Sequence, residues 1–210
     1  MEKIVLIGGG GHCRSVIDVI ESQGKYEIAE ILDVEEKLGN QILDYKISAK
    51  DTDIPDLARK YDNFLITIGQ IHSAKIRIKF YKELKRFGAN LPVIISPIAH
   101  VSKHATVGEG SVIMHGAIVN AAAKIGINNI INTNSVVEHD AFTGSHCHIS
   151  TGAFLNGEAI LGDGSFLGSG ARTAQCVEII KDTVVGASSY VHKNITESGV
   201  YIGAPVKKVS

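Results

Sequence analysis

The residues of this 210-residue chain best suited to proton transfer are its nine histidines. Imidazole has an ordinary pKa near neutrality, so a histidine beside a reacting group can take up and release a proton at pH 7. His139 is followed directly by Asp140, a carboxylate able to orient the ring and to stabilise its protonated form. The residues alone leave two interpretations open for His139, a general base or a solvated surface histidine.

A second feature with chemical meaning is the glycine-rich loop Gly8–His12. It follows a short apolar run and precedes residues with helical spacing, which predicts a strand, a tight turn and a helix. Backbone N–H groups at the start of a helix bind phosphate groups. Cys13 stands where a third glycine would complete a dinucleotide fingerprint, so we expect a nucleotide-linked ligand rather than NAD. A plain tight turn stays open as the alternative.

The second half of the chain repeats every six residues. From Ile95 to Val191, fifteen of the seventeen residues at this spacing are aliphatic, and mostly small residues follow four positions later. Helices repeat near 3.6 residues and strands near 2, so each hexad predicts one short strand and a corner of a parallel β-helix. In this register Val137 points inward and His139 points outward. The residues expected to form an exposed apolar surface for self-association are Val112, Ile118, Ile130 and Phe142.

The first 92 residues alternate between strand and helix patterns. The predicted strands are Lys3–Ile7, Ile28–Leu32 and Asn63–Ile68, and the predicted helices are Cys13–Gln23 and residues 73–87. In the second helix, Ile76, Phe80 and Leu84 are expected on one face. This alternation is typical of a small parallel, Rossmann-like sheet with a ligand site at one edge. We expect two domains, an α/β domain of residues 1–92 and a β-helix with its tail at residues 93–210.

Composition excludes several classes of protein. Lys+Arg of 21 against Asp+Glu of 22 gives a formal net charge of −1, which lacks the basic excess of nucleic-acid-binding proteins. No apolar stretch approaches the roughly 20 residues that span a bilayer, so we expect no membrane insertion. The N-terminus lacks the pattern of a signal peptide, which predicts a cytoplasmic protein. Cys13, Cys147 and Cys176 show no disulfide or metal spacing, so we expect reduced thiols.

The Gly-Gly-His turn, the Asp that closes the second strand, the Ile-Gly after the third strand and the hexapeptide prism together resemble one family. It is the hexapeptide-repeat sugar acetyltransferases with a left-handed β-helix, namely the bacillosamine- and perosamine-type N-acetyltransferases and the sialic-acid O-acetyltransferase-like proteins. The resemblance implies that the N-terminal domain binds a nucleotide-sugar, that the prism binds acetyl-CoA, and that the active form is a homotrimer with sites between subunits. The residues it assigns to nucleotide-sugar binding are Gly10, Gly11, His12, Asp33 and Gly69.

The same resemblance assigns catalysis to the stretch Asn132–Asp140, with His139 as the general base and Asp140 as its acidic partner. For His148 it implies a contact with the thioester end of acetyl-CoA as an oxyanion partner, and a structural corner histidine stays open as the alternative. Small residues one coil apart allow a pantetheine arm to lie against the backbone. The candidate cofactor-binding residues are His148, Gly157, Ser169, Gly186 and Ala187.

These features predict transfer of the acetyl group of acetyl-CoA to the amine, expected at the 4-position, of a UDP- or GDP-linked deoxyaminosugar in bacterial glycan biosynthesis. The alternative within the family is O-acetylation of a sialic-acid-type sugar. The loop Gln70–Lys75 is longer than the family pattern and leaves the base and the sugar open.

Two rival functions lie outside the family: a zinc enzyme of the carbonic-anhydrase type and a non-catalytic nucleotide-sugar sensor. A zinc enzyme needs three imidazoles that meet at one ion, and the spacing of the histidines here matches no known ligand pattern, so we expect no metal. The histidines considered as zinc ligands are His115, His139, His146 and His148.

Overall fold

The structure is a computed structural model that describes residues 1–210. Its N-terminal part is a four-stranded parallel sheet of strand order β5-β2-β1-β6 with helices on both faces. The elements are β1 Glu2–Ile7, α1 Gly11–Gln23, β2 Tyr26–Asp33, β3 Gln41–Ile42, β4 Tyr45–Lys46, β5 Ala49–Lys50, α2 Ile54–Lys60, β6 Asn63–Ile66 and α3 Lys75–Arg86, with short 3₁₀ turns at Glu35–Lys37 and Asp51–Asp53. The three predicted strands and two predicted helices are confirmed. The β3–β4 hairpin, β5 and α2 were not predicted.

Strand β1 is buried on both faces because its side chains alternate between two cores. Ile4 and Leu6 pack with α1, and Val5 and Ile7 pack with residues of α2 and α3. This arrangement fixes the carboxyl end of β1, and with it the glycine loop that follows.

The C-terminal part is the predicted left-handed β-helix. Two-residue strands recur every six residues and pair in parallel with the strand eighteen residues away. These strands are β7 Ile94–Ile95, β8 His100–Val101, β9 Thr106–Val107, β10 Val112–Ile113, β11 Ile118–Val119, β12 Lys124–Ile125, β13 Ile130–Ile131, β14 Val136–Val137, β15 Phe142–Thr143, β16 His148–Ile149, β17 Phe154–Leu155, β18 Ile160–Leu161, β19 Phe166–Leu167, β20 Arg172–Thr173, β21 Glu178–Ile179, β22 Val184–Val185 and β23 Tyr190–Val191. Strands β24 Val200–Ile202 and β25 Lys207–Lys208 close the chain. The domain boundary between residues 92 and 93 stays a prediction.

The prism has three faces, each a single sheet. Face 1 contains β7, β10, β13, β16, β19, β22, β24 and β25; face 2 contains β8, β11, β14, β17, β20 and β23; face 3 contains β9, β12, β15, β18 and β21. The second residue of most of these strands points inward, and with the small corner residues they form one buried core. At Gly126, a Cβ would lie 2.5 Å from the carbonyl oxygen of Gly144 in the next coil, so only glycine allows the coils to stack there.

The N-terminal domain covers face 1 of the prism, which corrects one expectation. Val112 and Ile130, expected to be exposed, are 1% and 0% exposed. Val112 joins the core that α1 forms with β1, together with Ile94 at the start of the prism. Ile118 and Phe142, on faces 2 and 3, remain 36% and 42% exposed.

Helix α3 buries Phe80 and Leu84, whereas Ile76, expected on the same face, is 59% exposed. The helix also buries a charged residue, Arg77. The Arg77 guanidinium donates hydrogen bonds to the carbonyl oxygen of Ile68 at 2.9 Å, and to the carbonyl oxygen and side-chain Oδ1 of Asn128, the latter at 3.0 Å. Arg77 therefore ties α3 to a corner of the prism.

Burial, with the nearby Arg77 charge as a lesser contribution, keeps the histidines around Arg77 neutral. The acceptors of Arg77 are neutral oxygens, and burial lowers its pKa to about 10. Burial, with repulsion from Arg77 as a further cause, lowers the pKa of His12 to about 3 and those of His146 and His148 to about 4. The join between the two domains therefore holds one cation and three neutral imidazoles.

These neutral histidines should make the protein less stable in mild acid. In the unfolded chain each one takes up a proton near its ordinary pKa of 6.5, whereas in the folded protein each stays neutral down to a pH of about 4 or below. The unfolded state then binds more protons, so the free energy of unfolding should fall as the pH is lowered from about 6.5 to about 4. Urea unfolding followed by circular dichroism at pH 7 and pH 5 measures the change.

A matched pair of variants separates this effect from the protonation of carboxylates. His146→Gln removes one half-buried imidazole and should reduce the loss of stability between pH 7 and pH 5, by less than the roughly 1.4 kcal/mol per pH unit that a full proton would give, because solvent screens this group. His104→Gln, at an exposed position, should leave the loss unchanged. Equal losses in both variants and the parent protein would show that the buried histidines do not contribute.

Candidate active site

A cavity of about 540 Å³ lies at the carboxyl ends of the parallel strands, where ligands bind in sheets of this kind. The four strands of the sheet run in the same direction, so their carboxyl ends lie at one edge. These strand ends and the start of α1 surround the cavity. The structure brings all five predicted nucleotide-sugar residues to this cavity: Gly10, Gly11, His12, Asp33 and Gly69.

The glycine loop presents backbone N–H groups to this cavity. Gly8 has φ of 102° and packs against Ile68, so a side chain is excluded there on both grounds. Gly10 caps α1 without a side-chain hydrogen bond, and the first turn of the helix carries no acidic residue. The N–H groups at this end of α1 are free to bind an anionic group.

Asp33 holds the loop in place. Its Oδ2 accepts hydrogen bonds from the Gly9 backbone N–H at 2.8 Å and from Lys37 Nζ at 2.9 Å, and its Oδ1 accepts one from the Val34 backbone N–H at 2.8 Å. Burial alone would raise the pKa of Asp33, but these hydrogen bonds outweigh burial and lower it below its ordinary value. Asp33 is therefore ionised, and its carboxylate lines the cavity.

A second cavity, of about 490 Å³, leads from the loop to face 1 of the prism. Gly11, His12 and Gly69 line both cavities, so the two cavities adjoin each other at the start of α1. The His12 Nε2 atom is buried there without a hydrogen-bond partner. The residues that the second cavity adds are Ser15, Gln70, Ile71, Asn132, Thr133, His148 and Thr151.

His148 does not fit the oxyanion role that we expected for it. Its side chain is buried, its Nδ1 donates to the carbonyl oxygen of Gln70 at 2.7 Å, and its Nε2 accepts from Asn132 Nδ2 at 3.0 Å. A neutral imidazole has one N–H, and His148 already uses it, so none is left for a thioester carbonyl. The ring instead fixes the loop at Gln70, whose side chain donates to the carbonyl oxygen of Gly164 at 2.9 Å. This anchoring of the loop Gln70–Lys75 was not predicted.

His139 lies in the turn between faces 2 and 3, and its side chain is 55% exposed, as the repeat predicted. Asp140 has φ of 60°, and this left-handed turn brings its carboxylate to 3.0 Å from His139 Nδ1. The hydrogen bond that His139 Nδ1–H donates to Asp140 raises the pKa of His139. With its Nδ1–H donated to Asp140, the neutral ring carries its lone pair on Nε2.

Gly157 lies against the His139 ring, one coil further along. A Cβ at Gly157 would lie 2.8 Å from His139 Nε2 and from Cε1. We expected Gly157 among the cofactor-binding residues, and the structure places it beside the candidate base.

The other cofactor candidates lie in a different turn, between faces 1 and 2. There Ser169 Oγ lies 2.9 Å from Ser150 Oγ in the preceding coil. Gly186 and Ala187 stack one coil further on, where a Cβ on Gly168 would lie 2.6 Å from their backbone. The predicted stacked column is present, but Gly157 and His139 do not belong to it.

The four histidines considered as zinc ligands contact different partners. His115 contacts Asp18 and Ser96, and His146 accepts from Asn128. No group of three or more His, Cys, Asp or Glu side chains is arranged to hold a metal ion. Among the helices, none combines the length and hydropathy needed to cross a membrane.

Known proteins of one family match this chain along its whole length. Residues 3–84 match the family described as the PglD N-terminal domain. A histidine-to-asparagine variant of perosamine N-acetyltransferase from Caulobacter crescentus, in complex with CoA and GDP-perosamine, is 32% identical, with a TM-score of 0.93 over 100% of this chain and 98% of that chain. The acetyltransferase domain of PglB from Neisseria gonorrhoeae FA1090, in complex with acetyl coenzyme A, is 27% identical, with a TM-score of 0.91 over 99% of each chain. The chain therefore belongs to the family of hexapeptide-repeat, left-handed β-helix N-acetyltransferases of nucleotide-linked aminosugars.

Proposed function

We propose that this protein transfers the acetyl group of acetyl-CoA to the amine, at the 4-position, of a UDP- or GDP-linked deoxyaminosugar. The observation that carries the proposal is the pair of adjoining cavities, which extend from an uncapped helix start suited to an anionic group to face 1 of the prism. The Caulobacter relative crystallised with CoA and GDP-perosamine supports the same pair of ligands. We place the reaction in the cytoplasm, and the free, buried thiols of Cys13 and Cys147 fit a reducing compartment.

A screen of acceptors tests this proposal. With acetyl-CoA, the purified protein should acetylate UDP- or GDP-linked 4-aminosugars and leave free sialic acid unreacted, because a free sugar acid lacks the diphosphate that the helix start is built to bind. Release of free CoA and the mass of the product measure the reaction. Acetylation of sialic acid at a hydroxyl, without acetylation of any nucleotide-linked amine, would establish the O-acetyltransferase alternative.

In this proposal His139 is the general base. Acetyl-CoA supplies the acetyl group as an activated thioester. As the sugar amine forms the new C–N bond and the C–S bond breaks, His139 Nε2 accepts the proton that the nitrogen loses and returns it to the departing sulfur, so CoA leaves as the thiol. Asp140 accepts the Nδ1–H of the ring and stabilises the imidazolium while it carries that proton.

One chain cannot bring its own base to its own cavity. The second cavity opens beside Asn132 and His148, on face 1 and the turn that follows it. His139 lies in the turn between faces 2 and 3, which is the corner opposite face 1 in a three-sided prism. We therefore place each active site between two subunits of a homotrimer, with the cavity from one chain and His139 from its neighbour.

The surfaces beside His139 suit such an assembly. Exposed apolar side chains lie on either side of its turn, on faces 2 and 3: Ile118, Phe142 and Ile160. Burial of such side chains between copies of the chain would stabilise the trimer by the hydrophobic effect.

Replacement of His139 tests the general base. His139→Ala should lower kcat roughly 10²- to 10⁴-fold and leave the affinities for acetyl-CoA and nucleotide-sugar nearly unchanged, because an outward side chain on a turn supports little of the core. Asp140→Asn should give a smaller loss. It removes the carboxylate that raises the pKa of His139, so the acid limb of the kcat/KM profile should move to lower pH.

Two further variants test this assignment, and the second of them is a control. Gly157→Ala keeps the His139 ring but displaces it, so it should lower kcat with little change in Tm. His104→Ala removes an exposed histidine from the equivalent turn two coils earlier and should leave kcat unchanged. The assignment is wrong if His139→Ala retains most of its activity at neutral pH.

Mixing of two inactive variants tests the shared site. Gly10→Asp places a carboxylate at the start of α1, where nothing lies within 4 Å of a Cβ, so it should repel the diphosphate without disturbing the fold. Subunits that carry Gly10→Asp and subunits that carry His139→Ala, each inactive alone, should regain activity when they are dissociated together and reassembled. Each mixed trimer then contains a site with an intact cavity and an intact base. Reassembled trimers that stay inactive would show that both parts come from one chain.

A further inference from the structure

The three strands β1, β2 and β5 are neighbours in the sheet, and their carboxyl ends form a row along the first cavity. The glycine loop follows β1, Asp33 ends β2, and Asp51 directly follows β5. Neighbouring strands lie about 4.8 Å apart, so this row spans about 10 Å. That length matches a nucleoside diphosphate laid across the strand ends, with its phosphates at the glycine loop, its ribose near Asp33 and its base near Asp51.

The position near Asp51 differs chemically from the rest of the cavity. Unlike Asp33, the Asp51 carboxylate accepts no hydrogen bond within the chain, and burial followed by repulsion from Asp33 raises its pKa. The cavity walls include apolar side chains from α3 and from the loop after β2, among them Ile76 and Val34. These two side chains are 59% and 44% exposed. Apolar walls with one unpartnered carboxylate suit the flat faces and the N–H edge of a nucleobase.

We infer that Asp51 reads the base of the nucleotide-sugar and selects guanine, so that the substrate of the proposed acetyl transfer is a GDP-linked rather than a UDP-linked sugar. This inference rests on the proposed function. An ionised carboxylate only accepts hydrogen bonds, and its two oxygens match two adjacent donors. Guanine offers such a pair in N1–H and the 2-amino group. Uracil offers a single N3–H between two carbonyl oxygens, which repel a carboxylate.

Titration calorimetry with three nucleoside diphosphates tests the selection. GDP should bind at least 10-fold more tightly than UDP. Inosine diphosphate keeps N1–H but lacks the 2-amino group, so it should bind about 10-fold more weakly than GDP. Asp51→Asn removes one of the two acceptors and the charge, so it should weaken GDP binding about 10- to 100-fold, leave UDP binding nearly unchanged and remove most of the difference between GDP and inosine diphosphate.

Asp56→Asn is the matched control, because Asp56 lies nearby in α2 but is exposed and paired with Arg59. It should bind all three nucleotides as the parent protein does, and the Tm of both variants should stay near that of the parent. Tighter binding of UDP than GDP, or equal binding of GDP and inosine diphosphate, would overturn the inference. Acetyl transfer to a UDP-linked aminosugar alone would also overturn it and leave the proposed function standing, whereas acetylation of free sugars without nucleotide binding would overturn both.

Discussion

The parallel pairing of each residue with the residue eighteen positions further on governs the rest of this structure. Val112 pairs with Ile130 and Ile130 pairs with His148, so these three side chains stand in one column on face 1. In such a coil the position of a residue in the repeat decides which face it occupies. No insertion interrupts the repeat from Ile94 to Val191, so every side chain in it keeps the face that its position predicts.

The three faces of this regular prism differ in what covers them. The N-terminal domain covers face 1, where it buries Val112 and Ile130, and the hydrogen bonds of Arg77 and Gln70 fix its position on the prism. Faces 2 and 3 stay uncovered, and the turn between them carries His139. The contact that builds the cavity thus directs it away from His139 of the same chain, and this packing supports the proposal of a site shared between subunits.

The sequence predicted what local pattern determines and missed what packing determines. The hexads and the glycine loop were recognised because their residues repeat or stand next to one another. Val112 and Ile118 occupy equivalent outward positions in the repeat, and nothing local says that only the first meets a second domain. Arg77 was missed because an arginine in a Lys- and Arg-rich helix reads as solvated, while its acceptor Asn128 lies 51 residues away. Asp51 lies in a polar stretch that has no periodic signal.

The electrostatics of the join between the domains bears on which histidine can move a proton. His12 and His148 line the cavity, but burial beside the Arg77 cation leaves them with a pKa of about 3 and about 4. Groups this weakly basic are poor acceptors at neutral pH, since a general base works best with a pKa near the pH of the reaction. His139 differs because its neighbour Asp140 raises its pKa. Burial, to which Arg77 adds repulsion, therefore argues against the histidines inside the cavity as the base, and it supports the proposal that an exposed turn with its own carboxylate supplies the base.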